Sequence, residues 1–369
     1  MKKVLFFIPT LGQGGAEKVL VNLVNNMDKS KFDITVQVLF DGGINKQFLQ
    51  PHIKYKAMFK KAFKGNSKIL SMFSPEFLHK RFIKEKYDVE VSYLEGPTAR
   101  IVSGCPDEET KLVSWIHGEQ RTKESASYAF KSFAEAQKCY ENYDKTICVS
   151  KYVLNDFTNI FKINNAQVLY NTVESDKILE KAKEPVTSIR KQDGWVNIIG
   201  VGSLKKIKGF HKLLKIHKKL INEGIKQRVY ILGQGPEKNN LENAVRENNL
   251  EDTFILLGYN TNPYKFVANC DLFVCASETE GFSTAVTESL IVGTPVVTTR
   301  CSGMDELLGK NNEYGIITEN NEDALYDGIK KMITEDGLLQ SYAEKALERG
   351  KAFNTNTTVK AVEDMLENL

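Results

Sequence analysis

Two successive series of short apolar runs, each run followed by a stretch with apolar residues every three or four positions, constrain this chain more than any other feature. Strands alternating with amphipathic helices build parallel sheets, because a parallel neighbour is reached only by a crossover lying on the sheet's face. The first series predicts strands at 4–8, 34–40, 89–93, 111–116 and 145–149. After the first of these, Ala16, Val19, Leu20, Leu23, Val24 and Met27 share one helical face. The second series predicts strands at 197–201, 228–232, 253–256, 272–275 and 295–298. Its first helix presents Phe210, Leu213, Leu214, His217, Leu220 and Ile221 together. The expected fold class is therefore α/β, with two doubly wound halves. The pattern places an N-terminal domain at 1–172, a linker at 173–195, a C-terminal domain at 196–350 and a last helix at 351–369 that packs back on the first half. At 369 residues the chain also exceeds the roughly 250–300 residues that one core sustains.

Composition narrows the function classes. With 41% hydrophobic and 26% charged residues the chain is neither disordered nor fibrous. No apolar run approaches the roughly 20 residues of a membrane span. The opening Lys2-Lys3-Val4-Leu5-Phe6-Phe7-Ile8 is too short for a signal peptide, meets Pro9, and reads as the first buried strand of a cytoplasmic protein. Six cysteines form no CxxC pair and have no histidine at zinc-ligand spacing, so free thiols and no metal site are expected. No Asp-x-Asp, Walker loop or G-x-S-x-G occurs, which removes the usual supports for a metal cage, NTP hydrolysis and acyl transfer.

Three glycine- and charge-bearing turns follow predicted strands. In Ser277-Glu278-Thr279-Glu280-Gly281-Phe282-Ser283-Thr284, with Glu288 beyond, Glu280 is expected in a loop and a helix near Ser283. The amides of Phe282, Ser283 and Thr284 would then sit at a helix N-terminus, a natural anion site. Two carboxylates beside such a cradle suit a nucleotide sugar, one near the anomeric carbon and one on ribose. A capped surface helix with solvated glutamates is the alternative. Gly200-Val201-Gly202-Ser203-Leu204-Lys205-Lys206-Ile207-Lys208-Gly209 puts lysines where a diphosphate would lie, or forms a solvated turn. Gly12-Gln13-Gly14-Gly15 lacks the third glycine of a dinucleotide fingerprint, and Gly233-Gln234-Gly235 reads as a tight turn. His117 ends a predicted strand, where open α/β sheets build sites.

Taken in order, Gly14-Gly15-Ala16-Glu17, His117-Gly118, Asn171-Thr172, Gly202-Ser203-Leu204 with Lys208-Gly209, and Glu280 with Glu288 eight residues further on, resemble glycosyltransferase family 4. Its members are retaining, nucleotide-sugar enzymes of GT-B architecture, two Rossmann-like domains facing a central cleft. The resemblance implies that Glu280 lies near the donor sugar, that Glu288 holds the ribose, and that Lys208 meets the diphosphate. Phe282 and Ser283 would supply amides, Gly14 and Gly15 the close turn to the phosphate, and His117 the histidine beside the transferred sugar. Gly202, Gly281 and Thr284 complete the implied donor-binding set. Ser203 stands where the family usually has an arginine, which leaves that contact to Lys205 or Lys206. No cofactor or metal is implied; the donor, with UDP the family default, is a substrate. The implied acceptor is a glycan or polyprenyl-linked glycan of a surface polysaccharide. A nucleotide-sugar epimerase or hydrolase of the same architecture, or a non-catalytic nucleotide-sugar-binding protein, are the alternatives.

Net charge is +3, unevenly spread. Lys54 to Lys86 holds ten basic residues against Glu76 and Glu85, interleaved with Met58, Phe59, Phe63, Ile69, Met72, Phe73 and Phe77. Such mixing suits an anionic membrane surface, and places the protein peripherally on the inner face of a membrane. An amphipathic helix covering the sheet is the alternative. No nucleic-acid motif is present, and no nucleic-acid partner is expected.

Overall fold

The computed structural model describes residues 1–62 and 65–369, so Phe63 and Lys64 of the basic segment lie outside the described residues. Two compact units divide the chain: residues 1–172 with 355–369, and residues 173–354.

The first unit is built on seven parallel strands: β1 (Lys2–Ile8), β2 (Phe32–Phe40), β3 (Lys54–Phe59), β4 (Val89–Ser92), β5 (Lys111–Ile116), β6 (Lys145–Cys148) and β7 (Ala166–Val168). Their spatial order is β3-β2-β1-β4-β5-β6-β7. Val4 pairs with Ile34 on one side and Val89 on the other, and Val4–Ile8 are fully buried. A strand covered on both faces by helices has no polar side, which is why these runs read as continuous rather than alternating.

The second unit repeats the pattern with β8 (Val196–Val201), β9 (Gln227–Leu232), β10 (Phe254–Gly258), β11 (Leu272–Cys275), β12 (Val296–Thr299) and β13 (Ile316–Thr318), in the order β10-β9-β8-β11-β12-β13. The helix Phe210–Asn222 buries Leu213, Leu214, Ile216 and Leu220 against Val229, Ile231 and Leu272. In each sheet the winding reverses at one place, between β1 and β4 and between β8 and β11. Loops leaving the strand C-termini diverge there, which opens a crevice in doubly wound sheets.

Several elements differ from the sequence expectation. Residues 54–59 are the edge strand β3, not part of one continuous basic helix, and β7 and β13 were not anticipated. The span 173–195 contains the helix Ser175–Ala182, which packs within the second unit. The last helix runs from Thr355 to Glu367 and joins the first unit: Lys2 Nζ donates to the Leu366 carbonyl at 2.6 Å, and the Asp28 amide to Glu363 at 2.6 Å.

Two buried polar knots hold helices of the first unit. Arg100, 1% exposed, donates to Glu135 at 2.8 and 3.1 Å and to the carbonyls of Leu70 at 3.1 Å and Phe73 at 2.5 Å. His79 Nε2 meets Glu90 at 2.8 Å, with Cys105 alongside. Burial alone would push the His79 imidazole down; hydrogen bonds to Cys105 and Glu90, with their charge, reverse this and raise it to about 9. A group raised above its unfolded value near 6.5 stabilises the fold below pH 6.5 and loses that contribution as pH climbs through 9. The first unit should therefore weaken by up to about 3 kcal/mol between pH 6.5 and 9.5. Urea unfolding at each pH is expected to show that slope, and Glu90→Gln to flatten it.

Candidate active site

The site in the second unit rests on two loops leaving neighbouring strands at the winding reversal. After β8 the chain runs through Gly202 to Leu204, makes a tight turn over Lys206–Lys208, and enters the helix at Phe210. After β11 it passes Ala276 to Ser283 and enters the helix Thr284–Val292. The loops touch through backbone: the Glu278 amide donates to the Ile207 carbonyl at 2.8 Å. Gly209 makes this approach possible. Its φ is +68°, and a Cβ there would lie 2.0 Å from the Ala276 carbonyl oxygen.

That contact brings Lys208 to Glu280. The ammonium donates to Glu280 Oε1 at 2.6 Å, and the Ser277 hydroxyl donates to the same oxygen at 2.7 Å. The two charged side chains retain 25% and 13% exposure, so the pair is largely buried but still reached by solvent. Burial pulls the Lys208 ammonium down, but the Glu280 charge and hydrogen bond outweigh it and hold the group above its ordinary value. The lysine is thus a fixed positive charge at neutral pH.

Around the pair, the scaffold is stitched by hydroxyls and amides. Thr299 Oγ1 donates to the Ser277 carbonyl at 2.5 Å, Ser302 to the Gly281 carbonyl at 2.9 Å, and Asn320 Nδ2 to the Glu278 carbonyl at 3.1 Å. Ser283 caps the following helix by accepting from the Val286 amide. This leaves the first-turn amides of Thr284 and Ala285 pointing along the helix axis, beyond the reach of intrahelical acceptors. Phe282 turns its ring inward against Phe353, and Glu288 is buried on the same helix. Lys205 and Lys206 stand exposed beside Ser203.

Sequence reasoning missed several of these residues. Ser277 was one polar residue in a polar run, and nothing in its spacing marked it as the hydroxyl under Glu280. Gly233 and Gly235, read as a turn, are instead packing partners of the β8 loop. Added Cβ atoms would lie 1.8 Å from the Gly202 carbonyl oxygen and 2.4 Å from that of Leu204.

Gly14, Gly15 and His117 belong to the first unit. Gly14 caps the helix Gly15–Asn26, after a loop held by Asn45, whose amide donates to the Leu11 carbonyl at 3.0 Å and whose side chain donates to that of Gly12. His117 directly follows β5, one strand from the reversal, and its ring lies 4.8 Å from that of Tyr93. Burial drives the imidazole down to about 3, so it is neutral, and its Nε2 is buried with no hydrogen-bond partner among the described residues. Its amide donates to Glu95 at 3.0 Å. Glu95 is raised by burial, against the amide hydrogen bonds it accepts. Among the described residues the one group with metal-ligand spacing is His79, Glu90 and Cys105, which includes none of the residues named for this site.

The family model for glycosyl transferases group 1 matches residues 186–349, and that for Glycosyltransferase Family 4 matches residues 13–177. An N-acetylgalactosamine-N,N'-diacetylbacillosaminyl-diphospho-undecaprenol 4-alpha-N-acetylgalactosaminyltransferase of Campylobacter jejuni is 30% identical over 100% of both chains. The chain belongs to glycosyltransferase family 4. It is a glycosyltransferase. An N-acetyl-alpha-D-glucosaminyl L-malate synthase of Bacillus anthracis is 23% identical, over 65% of this chain and 63% of its own. Among solved structures, Anabaena Alr3699/HepE in complex with UDP matches with TM-score 0.79 at 18% identity, covering 100% of both chains. Sucrose-phosphate synthase from Thermosynechococcus elongatus matches with TM-score 0.77 at 13% identity, covering 100% of this chain and 99% of that one. These neighbours establish the fold, two parallel-sheet Rossmann-like domains of the GT-B class.

Within this glycosyltransferase, removing one partner of the Lys208–Glu280 pair strands a largely buried charge. Lys208→Met should cost about 2 kcal/mol of stability, less than the roughly 3–5 of a fully buried pair because solvent still reaches it. The double variant Lys208→Met/Glu280→Gln should recover at least half of that loss. Chemical denaturation of both variants beside the single Glu280→Gln checks it.

Proposed function

We propose that this glycosyltransferase moves a sugar from a UDP-sugar to a polyprenyl-linked glycan in surface-polysaccharide assembly, with retention of anomeric configuration and no metal. The observation that carries the reading is the Lys208–Glu280–Ser277 contact beside an open helix N-terminus. A departing nucleotide diphosphate accumulates negative charge, and a fixed ammonium with preorganised amides is what stabilises it. The Campylobacter relative's name specifies a diphospho-undecaprenol acceptor, and Anabaena Alr3699/HepE was crystallised with UDP and with UDP-glucose. A capsular polysaccharide biosynthesis glycosyltransferase of Staphylococcus aureus, 25% identical over 41% of the chain, points to the same pathway class.

On this reading Lys208 exchanges Glu280 for a diphosphate oxygen when the donor arrives, and the amides of Thr284 and Ala285 take further phosphate oxygens. Glu280, released by Lys208 but still held by Ser277, turns its free acceptor capacity to the sugar near the anomeric carbon. The bond from that carbon to the leaving phosphate oxygen breaks, the acceptor oxygen bonds to the same face, and its proton passes to the departing phosphate. Glu288 holds the ribose, and Lys205 or Lys206 serves where the family arginine is replaced by Ser203. Gly14, Gly15 and His117 keep the roles that the resemblance assigns; a neutral imidazole with an unused Nε2 can bond a sugar hydroxyl without adding charge. The protein works peripherally on a cytoplasmic membrane face, the reading supported by the lipid-linked acceptor in the Campylobacter relative's name.

Glu280→Ala and Lys208→Ala should each lower kcat/KM by about 10²–10³, the scale of losing one preorganised transition-state contact, with circular dichroism unchanged. Wild-type turnover by both folded variants would overturn these roles. UDP at about 100 times its Kd should raise stability by about 2.7 kcal/mol, read as a higher Tm, with a matched purine diphosphate giving less. Proton NMR of the product should show the donor's anomeric configuration preserved; an inverted linkage would refute retention.

A further inference from the structure

We infer that His79, Glu90 and Cys105 form a zinc site in the first unit, separate from the residues of the transfer site. The site goes beyond the proposed function and stands whether or not that reading does. Its donor atoms, an imidazole nitrogen, a carboxylate oxygen and a thiol sulfur, all lie within 4.8 Å of one another. Zinc bonds of about 2.0–2.3 Å place tetrahedral donors about 3.3–3.8 Å apart, so small side-chain rotations close this set around an ion. His79 Nε2 and Glu90 already meet at 2.8 Å and need only part slightly to admit one.

Three donors can gather by accident on a mobile surface, but these stand on three elements fixed from within. Glu90 is buried in β4, where its backbone registers with Leu5 of β1 and Leu112 of β5. His79 is buried on the helix Pro75–Phe82, which covers the sheet through Leu78 and Phe82. Cys105 follows the helix Pro97–Val102, and the amides of Gly104 and Cys105 return to the carbonyls of Ile101 and Val102 at 3.1 Å. Gly104 brings that turn onto the start of the His79 helix: a Cβ there would lie 2.2 Å from the Pro75 carbonyl carbon. The cysteine next to it is thereby delivered to the imidazole. Cys105 is partly exposed while the other two donors are buried, so an ion enters past the sulfur and water supplies the fourth ligand. The nearby Asp107 carboxylate is engaged by Lys86 at 3.0 Å.

The donor set selects the metal. Magnesium and calcium take oxygen ligands, whereas one sulfur, one imidazole and one carboxylate suit zinc. Coordination takes the thiol and imidazole without their protons, which pass to solvent. A zinc ion would join three segments, the helix Pro75–Phe82, β4 and the turn after Pro97–Val102, that the His79–Glu90 hydrogen bond alone joins only as a pair. Its contribution is therefore to the stability of the first unit rather than to sugar transfer. Residues 79, 90 and 105 match no short ligand motif, because they meet through sheet order and not through spacing along the chain.

The test uses the full chain, reduced with a phosphine and freed of metal by a chelator, with cobalt(II) as the probe. One equivalent should give the near-ultraviolet sulfur-to-metal charge-transfer band and the red-visible bands of a four-coordinate ion, and one equivalent of zinc should displace them. Cys105→Ser should abolish the charge-transfer band, and His79→Gln should weaken zinc at least tenfold in competition with a chromophoric chelator. Cys301→Ser, which removes the other partly exposed thiol, should leave both readouts unchanged. Zinc should raise the Tm of wild type and leave that of Cys105→Ser where it was. Cys105→Ser changes one atom, and circular dichroism matching wild type shows that it folds, so it decides the matter even if His79→Gln does not fold. A cobalt spectrum without a sulfur band, a band that survives Cys105→Ser, or a band lost in Cys301→Ser would overturn the site.

Discussion

Backbone proximity is the constraint from which the second unit's chemistry follows. A lysine after one strand and a glutamate after another share a hydrogen bond because their loops come close enough for an amide of one to reach a carbonyl of the other. Gly209 permits that approach, and Gly233 and Gly235 let a third loop support the first from below. Side-chain hydroxyls from β12 and the turn after it fix the glutamate loop from the far side. The pair is therefore a product of sheet order: only strands adjacent at the reversal, β8 and β11, deliver their loops to one place.

The two units solve the same folding problem with different polar hardware. The second concentrates charge in a solvent-open pair held by neutral donors. The first buries charges in knots, Arg100 with Glu135 and His79 with Glu90. A buried ion pair is weak evidence for stability in itself, since desolvation offsets most of the attraction. What the knots secure is direction: each fixes where a short helix ends and which face it shows.

Much of this was legible in the residues. Strands buried on both faces leave an unmistakable apolar run, so β1, β2, β8 and β11 were read nearly to their ends. Edge strands are less visible. β3 alternates Lys54 and Lys56 with Tyr55 and Ala57, so its strand period vanished into the surrounding basic residues, while β7 and β13 have only three residues each. At the site, Glu280, Lys208 and the capped helix start could be found from spacing because a turn between strand and helix is a local event. Ser277 under Glu280, and the match of Gly209 to Ala276, could not, since each depends on which strand lies beside which. The knot of Arg100 was invisible for the same reason: it joins residues 70, 73, 100 and 135.

The return of the last helix to the first unit has a consequence for biosynthesis. Residues 1–172 leave the ribosome well before Thr355–Glu367, yet Lys2, Asp28 and Lys31 find their partners in that final segment. The nascent first unit must wait, with its Lys2 edge uncovered, until the intervening unit has been made. Folding of the two units is thereby coupled in time: the earlier-synthesised one is the later to be sealed.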